Sequence, residues 1–412
     1  MLLIKNGRVI DPLSGLDAKK DLLIKGNNII EIEDSIENME EYRLIDAEGL
    51  IIAPGLIDVH VHFRDPGQTH KEDMVSGSEA AARGGFTTVV CMANTSPVVD
   101  NVETLKSVLE KTKDLKIEVL QAATVTRGME GKIINDLKTL KEAGAAGFTD
   151  DGKPIMDASI LKRAMEISKE LDMPISLHEE DPCLIQQNGM NKFSPSIAED
   201  VMVSRDAALA IAIHARLNVQ HISSGVAVEA IRWGKKMGAN LFAEVTPHHF
   251  TLTEDAIEKH GSLAKMNPPL RTPWDREMII KGLQDGTIDI IATDHAPHTE
   301  EEKSGDISKA PSGIIGLETS LALSITSLVD KGHLSMIDML EKLTVNPAKL
   351  YNLDRGAIAK DHRADLVIFA PEEEYLVEEF ASKSCNSPFI GEKLKGKVKY
   401  TISKGQVVYK DL

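Results

Sequence analysis

Hydrophobic and polar positions alternate strictly along residues 57–62, whose sequence is IDVHVH. A period of two is typical of a β-strand, and it places His60 and His62 on the same side of that strand. The turn residues at 65–67, with the sequence DPG, end the stretch. We therefore predict a strand that carries two imidazoles to its end, where they can hold one metal ion. A strand with a solvated polar face would show the same pattern, so residues elsewhere in the chain are needed to distinguish a metal site from a solvated face.

The following 240 or so residues repeat one rhythm, in which short β-branched runs alternate with longer segments of helical period. The predicted strands are 56–60, 87–92, 117–122, 147–149, 174–178, 218–221, 240–245 and 288–293. The predicted helices are 102–113, 133–143, 159–171, 206–215, 226–237, 317–329 and 336–343. Eight strands that alternate with helices over this length predict an α/β fold, a (β/α)8 TIM barrel at residues 54–350.

The two ends of the chain have a different pattern, with short apolar runs separated by turn residues. The predicted strands are 2–4, 9–10, 22–24 and 29–32 near the start, and 364–369, 398–402 and 406–409 near the end. Lys404-Gly405 indicates a hairpin between the last two strands. Since neither end is large enough for a core of its own, we predict that residues 1–53 and 351–412 form one small β-sheet domain.

Composition narrows the classes of partner. The formal net charge of −17 argues against a nucleic acid or an anionic membrane as the main partner. An anionic substrate would therefore need local cations, and Arg64 is a candidate. The three cysteines are far apart, and the sequence has neither a secretory signal pattern nor an apolar run of about 18 residues. We expect a cytoplasmic protein whose metal ligands, if any, are histidine and carboxylate.

Residues that can bind metal follow the predicted strands, at the barrel rim where the chemistry of such folds is found. They are His60 and His62, Asp150 and Asp151, His178, His221, and Asp294 with His295 and His298; Asn94 follows the second strand. A single histidine at a strand end is usually structural, but ligand-type residues at five strand ends indicate a site.

The residue types also suggest the metal and the chemistry. Imidazole and carboxylate without thiolate suit Zn²⁺, and six candidate ligands suit two ions with one carboxylate between them. Two such ions can share a hydroxide, which acts as the nucleophile on a substrate carbonyl that the ions polarise. Asp294 is then the candidate general base, which later acts as the acid toward a leaving nitrogen.

Several motifs resemble those of a known family. His60-Val61-His62, GFTDDG at 147–152 and TDHAPH at 293–298, with His178 and His221, resemble the amidohydrolase superfamily. FRDPG at 63–67, MANT at 92–95, MNPPLR at 266–271 and IGLET at 315–319 resemble class I dihydroorotases more closely. The resemblance spans essentially the whole chain, including both terminal β segments.

The resemblance implies the reversible cyclisation of N-carbamoyl-L-aspartate to L-dihydroorotate in pyrimidine biosynthesis, with two zinc ions per subunit. It implies that His60, His62 and Asp294 bind the first zinc, that Asp151 bridges, and that His178 and His221 bind the second. By the same resemblance Arg64, Asn94 and His298 hold the substrate carboxylate, as suits an acidic protein. The implied substrate contacts also include His62, Asn267, Ser312 and Gly313. The family more often has Phe at position 312, although a backbone contact there would survive.

Some assignments stay open on the sequence. Asp150 and Asp151 are adjacent, and Asp151 is preferred as the bridge because its distance from His178 fits the class I pattern. In many relatives a carboxylated lysine bridges the two metal ions, but Lys153 lies two residues beyond Asp151, in a predicted loop. We expect packing roles for His295, His248 and His249. Residues 299–311 are expected to form a mobile segment over the substrate.

Rival functions and partners also remain. Another cyclic amidohydrolase, acting on hydantoins, dihydropyrimidines or allantoin, would not need the clamp of Arg64 and Asn94. A non-catalytic scaffold for aspartate transcarbamoylase would have lost its ligand residues, whereas here every ligand position is filled. A homodimer and a complex with that transferase are expectations from the resemblance alone.

Overall fold

The computed structural model describes residues 1–187 and 194–411. Its strands are β1 Leu2–Asp11, β2 Leu16–Lys25, β3 Asn28–Glu33, β4 Arg43–Asp46, β5 Ile51–Pro54, β6 Leu56–Val61, β7 Phe86–Cys91, β8 Glu118–Gln121, β9 Phe148–Thr149, β10 Ile175–Leu177, β11 Leu217–Val219, β12 Leu241–Val245, β13 Ile290–Ile291, β14 Leu366–Leu376, β15 Lys393–Ser403 and β16 Gln406–Lys410.

The α-helices are α1 Met74–Arg83, α2 Val102–Thr112, α3 Leu137–Glu142, α4 Ala158–Glu170, α5 Pro182–Gln187, α6 Ser196–Ile213, α7 Gly225–Lys236, α8 Pro247–Thr251, α9 Ala256–His260, α10 Pro273–Gln284, α11 Glu300–Lys303, α12 Ser320–Ser324, α13 Met336–Leu343 and α14 Val345–Leu350. Short 3₁₀ turns occur at Arg127–Met129 and Gly261–Ala264, and a π-helical turn, Ile325–Val329, extends α12. Within the described ranges, no helix is long and apolar enough to cross a membrane.

Both ends of the chain contribute to one sheet. Its strand order is β16-β15-β14-β5-β1-β2-β3, with β4 paired to β1. The two ends meet where β14 runs antiparallel to β5, with Leu366 opposite Pro54. Apolar residues from both ends, including Ile4, Ile52 and Ile368, form a common core on this sheet. Each end therefore supplies the buried area that the other lacks.

The middle of the chain alternates parallel strands with helices, which confirms the predicted α/β class. β13-β12-β11-β10-β9 form one parallel sheet and β6-β7-β8 another. Isolated parallel bridges connect the two sheets, from Ala123 to Phe148 and from Val61 to His295. Both bridges lie at or beyond the strand ends that precede the candidate ligands, so these strand ends are brought to one side of the molecule.

Candidate metal centre and active site

Strand β6 delivers the two histidines of the opening motif. His60 is its penultimate residue and His62 follows its end; both side chains are buried, and their ring centroids lie 5.3 Å apart. Ile57 and Val59 pack into an apolar cluster with residues of β7 and β13. The alternation in the sequence thus separates the polar residues that build the site from apolar residues that hold the strand.

Asp151 lies between two groups of candidate ligands. His60, His62 and Asp151 form one group with potential metal-binding atoms within 4.8 Å of one another, and Asp151, His178 and His221 form the second. The Asp151 carboxylate lies 3.4 Å from His60 Nε2 and 3.5 Å from His62 Nε2. It lies 3.9 Å from His178 Nδ1 and 3.7 Å from His221 Nε2. One carboxylate is therefore shared by both groups.

The neighbouring Asp150 points elsewhere. Its carboxylate accepts the backbone N–H groups of Val125 and Thr126 at 2.8 and 3.1 Å, together with the Thr126 hydroxyl. Burial raises the pKa of Asp150 to about 6. Lys153 is exposed, so its side chain lies away from the buried ligand cluster.

Asp294 completes the first group from the strand β13 side. Its Oδ1 lies 2.9 Å from His62 Nε2 and 3.4 Å from His60 Nε2. Burial alone would raise the pKa of Asp294, but the imidazoles of His60, His62 and His221 bring it well below its usual range. The carboxylate is therefore held in its ionised form, as a ligand or proton acceptor requires.

Two buried polar atoms that face each other in this cluster, His60 Nε2 and Asp151 Oδ1 at 3.4 Å, have no hydrogen-bond partner among the described residues. Burial would lower the pKa of His60, but the carboxylates of Glu244, Asp151 and Asp294 raise it well above its usual value. This concentration of negative charge around an imidazole suits a divalent cation, and imidazole with carboxylate suits zinc.

A cavity of about 190 Å³ opens above the cluster. Gly152 and Ala296 line it, together with ten of the residues named from the sequence. These ten are His62, Arg64, Asn94, Asp151, His178, His221, Asn267, Asp294, Ser312 and Gly313. A guanidinium therefore faces the same small space as the ligand cluster. This arrangement can bind an anionic molecule next to bound metal ions.

Two of the residues assigned to the substrate carboxylate have other partners here. Asn94 accepts the His62 Nδ1 proton at 2.9 Å and donates to Asp151 Oδ2 at 3.1 Å, so it orients two ligands while facing the cavity. His298 lies behind Arg64, with Nε2 3.4 Å from Arg64 Nη2 and 2.9 Å from the Ser312 carbonyl. Burial and nearby cations, Arg64 foremost, lower the pKa of His298 to about 3, so its ring is neutral.

A buried lysine holds the segment 299–311 against the neighbouring loops. Lys303, at the end of α11, is buried, and its ammonium donates to the carbonyls of Lys265, Pro311 and Gly313 at 3.1, 3.0 and 2.9 Å. This anchor adjoins Gly313, which lines the cavity. Movement of the segment stays a prediction.

Of the remaining histidines near the site, His295 and His249 have structural hydrogen-bond partners, whereas His248 Nε2 is buried without one among the described residues. His295 accepts the Gly316 N–H at Nδ1 and lies 3.4 Å from Glu72 at Nε2. His249 bonds Thr246 and the Pro268 carbonyl, and His248 is buried beside it. None of these three lines the cavity in the described part of the chain.

Three residues that contact the ligands or their loops from outside the cavity were not identified from the sequence. Glu180 lies 3.1 Å from His178 Nε2, Glu244 lies 2.5 Å from His60 Nδ1, and Asn386 contacts the loop that carries His298. Glu180 could have been suspected because it follows a strand-end histidine. Glu244 and Asn386 belong to no recognised motif, and only the folded chain brings them to the site.

Comparison with known proteins agrees with this architecture. The model of the Amidohydrolase family matches residues 51–408. The chain is 58% identical over 419 residues to a dihydroorotase of Clostridioides difficile (strain 630), covering 99% of this chain and all of the relative. It is 52% identical to a dihydroorotase of Streptococcus pneumoniae serotype 4, covering 99% of this chain and all of that one.

Solved structures extend the likeness to the fold. The L-hydantoinase (dihydropyrimidinase) from Arthrobacter aurescens superposes with a TM-score of 0.90 at 26% identity, covering 99% of this chain and 96% of that one. The dihydropyrimidinase from Brevibacillus agri NCHU1002 has a TM-score of 0.89 at 24% identity, with coverage of 99% and 95%. The much higher identity to the dihydroorotases decides the closer relationship. The chain belongs to the amidohydrolase family and, within it, to the dihydroorotases.

Proposed function

We propose that the protein catalyses the reversible cyclisation of N-carbamoyl-L-aspartate to L-dihydroorotate and water, the dihydroorotase reaction of pyrimidine biosynthesis. The observation that carries this proposal is Arg64, which faces the same cavity as the histidine and aspartate cluster. The protein carries a net charge of −17, so a half-buried guanidinium in its cavity is suited to a carboxylate of the substrate. The full-length identity to dihydroorotases supports the same reaction.

We infer that the site holds two zinc ions per subunit. His60, His62 and Asp294 would hold one, His178 and His221 the other, and Asp151 would contact both. Bound ions of this kind lower the pKa of water and polarise a carbonyl group. His60 Nε2 and Asp151 Oδ1, which are buried without a hydrogen-bond partner among the described residues, support this assignment.

Asp294 is proposed to move the proton. In ring opening its carboxylate accepts a proton from the attacking water and returns it to the nitrogen that leaves the carbonyl carbon. In cyclisation it takes the proton from that nitrogen and gives it to the departing water. Its low pKa, held by three imidazoles, suits a group that must be ionised before it accepts a proton.

The other residues would hold the substrate in place. Arg64, with Asn94 and His298, would bind the carboxylate next to the ring, and Asn267, Ser312 and Gly313 would contact the ring itself. Gly313 has φ of +133°, and a Cβ there would lie 2.8 Å from Ala296 Cβ. Position 313 therefore requires glycine, whose lack of a side chain leaves room for a ligand in the cavity that it lines.

The same reasoning extends to the architecture and partners. We infer that β6 to β13 close into a (β/α)8 barrel within residues 54–350, because bridges connect both ends of the two parallel sheets. Residues 1–53 and 351–412 would form the β domain beside it. A homodimer and a complex with aspartate transcarbamoylase are proposals from the family resemblance, for which size-exclusion chromatography is a first test. A cytoplasmic location is a proposal from the three widely separated cysteines.

The hydantoinases and dihydropyrimidinases are the second candidate class, because their fold superposes so well. Their ring substrates need no partner for a carboxylate, so Arg64 would have no role in such a reaction. Dihydrouracil, the dihydroorotate ring without its carboxylate, distinguishes the two classes.

The first experiment is ring opening of L-dihydroorotate, followed in the ultraviolet, on protein whose zinc has been counted. We expect turnover with about two zinc ions per chain and little turnover of dihydrouracil. Activity with one zinc would keep the reaction but remove half of the ligand assignment. Bound zinc with preference for dihydrouracil would favour the second class, and absence of both zinc and activity would contradict the proposal.

A further inference from the structure

A buried carboxylate on β12 lies directly behind the first group of ligands. Glu244 is fully buried, and its Oε1 lies 2.5 Å from His60 Nδ1. The opposite ring nitrogen, His60 Nε2, faces Asp151 and Asp294 at 3.4 Å each. Glu244 therefore contacts the side of the imidazole that points away from the cavity.

The neighbours of Glu244 establish which partner donates. Its Oε2 accepts the Asn218 side-chain N–H at 2.9 Å, and its Oε1 also accepts the His221 backbone N–H at 3.4 Å. Gln220 Nε2, a donor, also lies 3.2 Å from His60 Nδ1 and would compete for a lone pair there, but Glu244 Oε1 is much closer at 2.5 Å, and a carboxylate oxygen that receives other N–H groups is the acceptor. With donors converging on Glu244, His60 Nδ1 carries the proton and Nε2 keeps its lone pair.

We propose that Glu244 is a positioning residue of the metal centre. It fixes the tautomer of His60 so that Nε2 is free to bind metal, and through its second contact it holds the backbone of His221 in the other group. His221 has φ of +35°, a left-handed conformation that needs such support. One carboxylate would thus order ligands of both halves, by the general pattern in which a histidine ligand donates its other N–H to an acid.

The test is the zinc affinity of Glu244→Gln, measured by competition with a chromophoric chelator. Glutamine keeps an acceptor oxygen for His60 but removes the charge, and zinc should bind roughly 10- to 100-fold more weakly. The amide of Asn218 can turn to meet the new NH₂ group, because its Oδ1 has no partner among the described residues. Thermal unfolding of the metal-free variant checks that it folds.

The matched control is Glu118→Gln, the same acid-to-amide change at strand β8, where the carboxylate pairs with Arg363 and Lys404. Its zinc affinity should stay close to that of the unchanged protein. If both variants lose affinity equally, or if Glu244→Gln loses none, the inference is wrong.

A second measurement does not depend on any variant. In zinc-loaded protein labelled with ¹⁵N, the His60 ring should carry its proton on Nδ1, with a strongly downfield proton signal. A proton on Nε2 would contradict the inference. The inference rests on the proposed metal centre, but the two fail differently: unchanged protein that binds no zinc would contradict the centre, whereas tight binding with the other tautomer would contradict only the role of Glu244.

Discussion

Three side chains of the candidate site project from strained backbone. Arg64, His221 and Asp294 have φ values of +57°, +35° and +48°, in the region that non-glycine residues rarely adopt. Each lies just beyond the end of a parallel strand, where the chain turns into a loop. The left-handed turn directs each side chain toward the common cavity, at a cost of about 1–3 kcal/mol per residue. Strain concentrated at three strand ends is consistent with a functional site.

Asp294→Asn tests the proposed proton transfer. Asparagine has nearly the same shape, so the fold and bound zinc should largely remain, whereas turnover of dihydroorotate should fall at least ~10²-fold because the amide cannot accept the proton. Steady-state kinetics on zinc-counted protein measures this. Asp285→Asn, at an exposed ion pair with Arg232, is the control and should be fully active. Near-normal turnover in the zinc-loaded Asp294 variant would remove this residue from the mechanism.

Arg64→Met tests the proposed carboxylate clamp. Methionine tolerates the same backbone angle about as well as arginine and fills similar space, but it cannot pair with an anion. A charged hydrogen bond contributes roughly 1.5–3 kcal/mol, so kcat/KM for dihydroorotate should fall about 10- to 150-fold. Hydrolysis of dihydrouracil should change little. Exposed Arg127→Met is the control, and an unchanged kcat/KM in the Arg64 variant would exclude the clamp.

At the scale of elements, the hydrophobic pattern predicted the bounds of some helices closely and missed other helices. The predicted helix 336–343 coincides with α13, and 102–113 ends one residue beyond α2. Helix α6 begins at Ser196, ten residues before the prediction, and α1 and α10 were not predicted. α1 contains buried serine and glycine, which hide its apolar face from a hydrophobicity pattern. Strands β9 and β13 have only two residues each, fewer than the predicted runs 147–149 and 288–293.

The candidate site likewise contains residues that the sequence predicts and residues that it does not. Residues at strand ends could be named from the sequence, because parallel strands bring their carboxyl ends to one edge. The choice of Asp151 over Asp150 could not be proven there; it depends on Val125 and Thr126, which bind Asp150 from another loop. Glu244 and Asn386 depend on contacts across more than 80 positions of sequence, which no local pattern encodes.

Gly77 of helix α1 lies directly against the ring of Phe63, the residue before Arg64. A Cβ at Gly77 would lie 2.5 Å from the ring of Phe63, so Gly77→Ala would force this buried ring to move. Overpacking of this kind costs about 1–3 kcal/mol, which outweighs the higher helix propensity of alanine. Chemical denaturation should show that loss. Val75→Ala, on the exposed side of the same helix, should leave the free energy of unfolding almost unchanged. Equal stability of Gly77→Ala would mean that Phe63 has room to shift.

At the scale of the whole molecule, the chain returns to the candidate site near its end. The backbone N–H of Ala381 bonds Glu318, and the hydroxyl of Ser382 bonds the buried Glu72, which also contacts His295. Asn386 then donates to the carbonyls of Ala296 and Gly313. The segment between β14 and β15 therefore packs against the loops that follow β13. The terminal sheet is thus connected to the cavity by buried hydrogen bonds as well as by apolar packing.

Asn386→Ala tests whether this connection shapes the substrate cavity. The change leaves the carbonyl of Ala296 and the backbone N–H of His298 without this partner, each at a cost of about 1 kcal/mol, while the carbonyl of Gly313 keeps only its bond from Lys303. The loops around Arg64 should then loosen, and KM for dihydroorotate should rise about tenfold or more. Zinc content should not change, because Asn386 contacts none of the proposed ligands. Asn240→Ala, at an exposed position, is the matched control. If KM stays constant while stability falls, the terminal segment supports the fold but not the cavity; loss of zinc instead would show that it reaches the metal ligands.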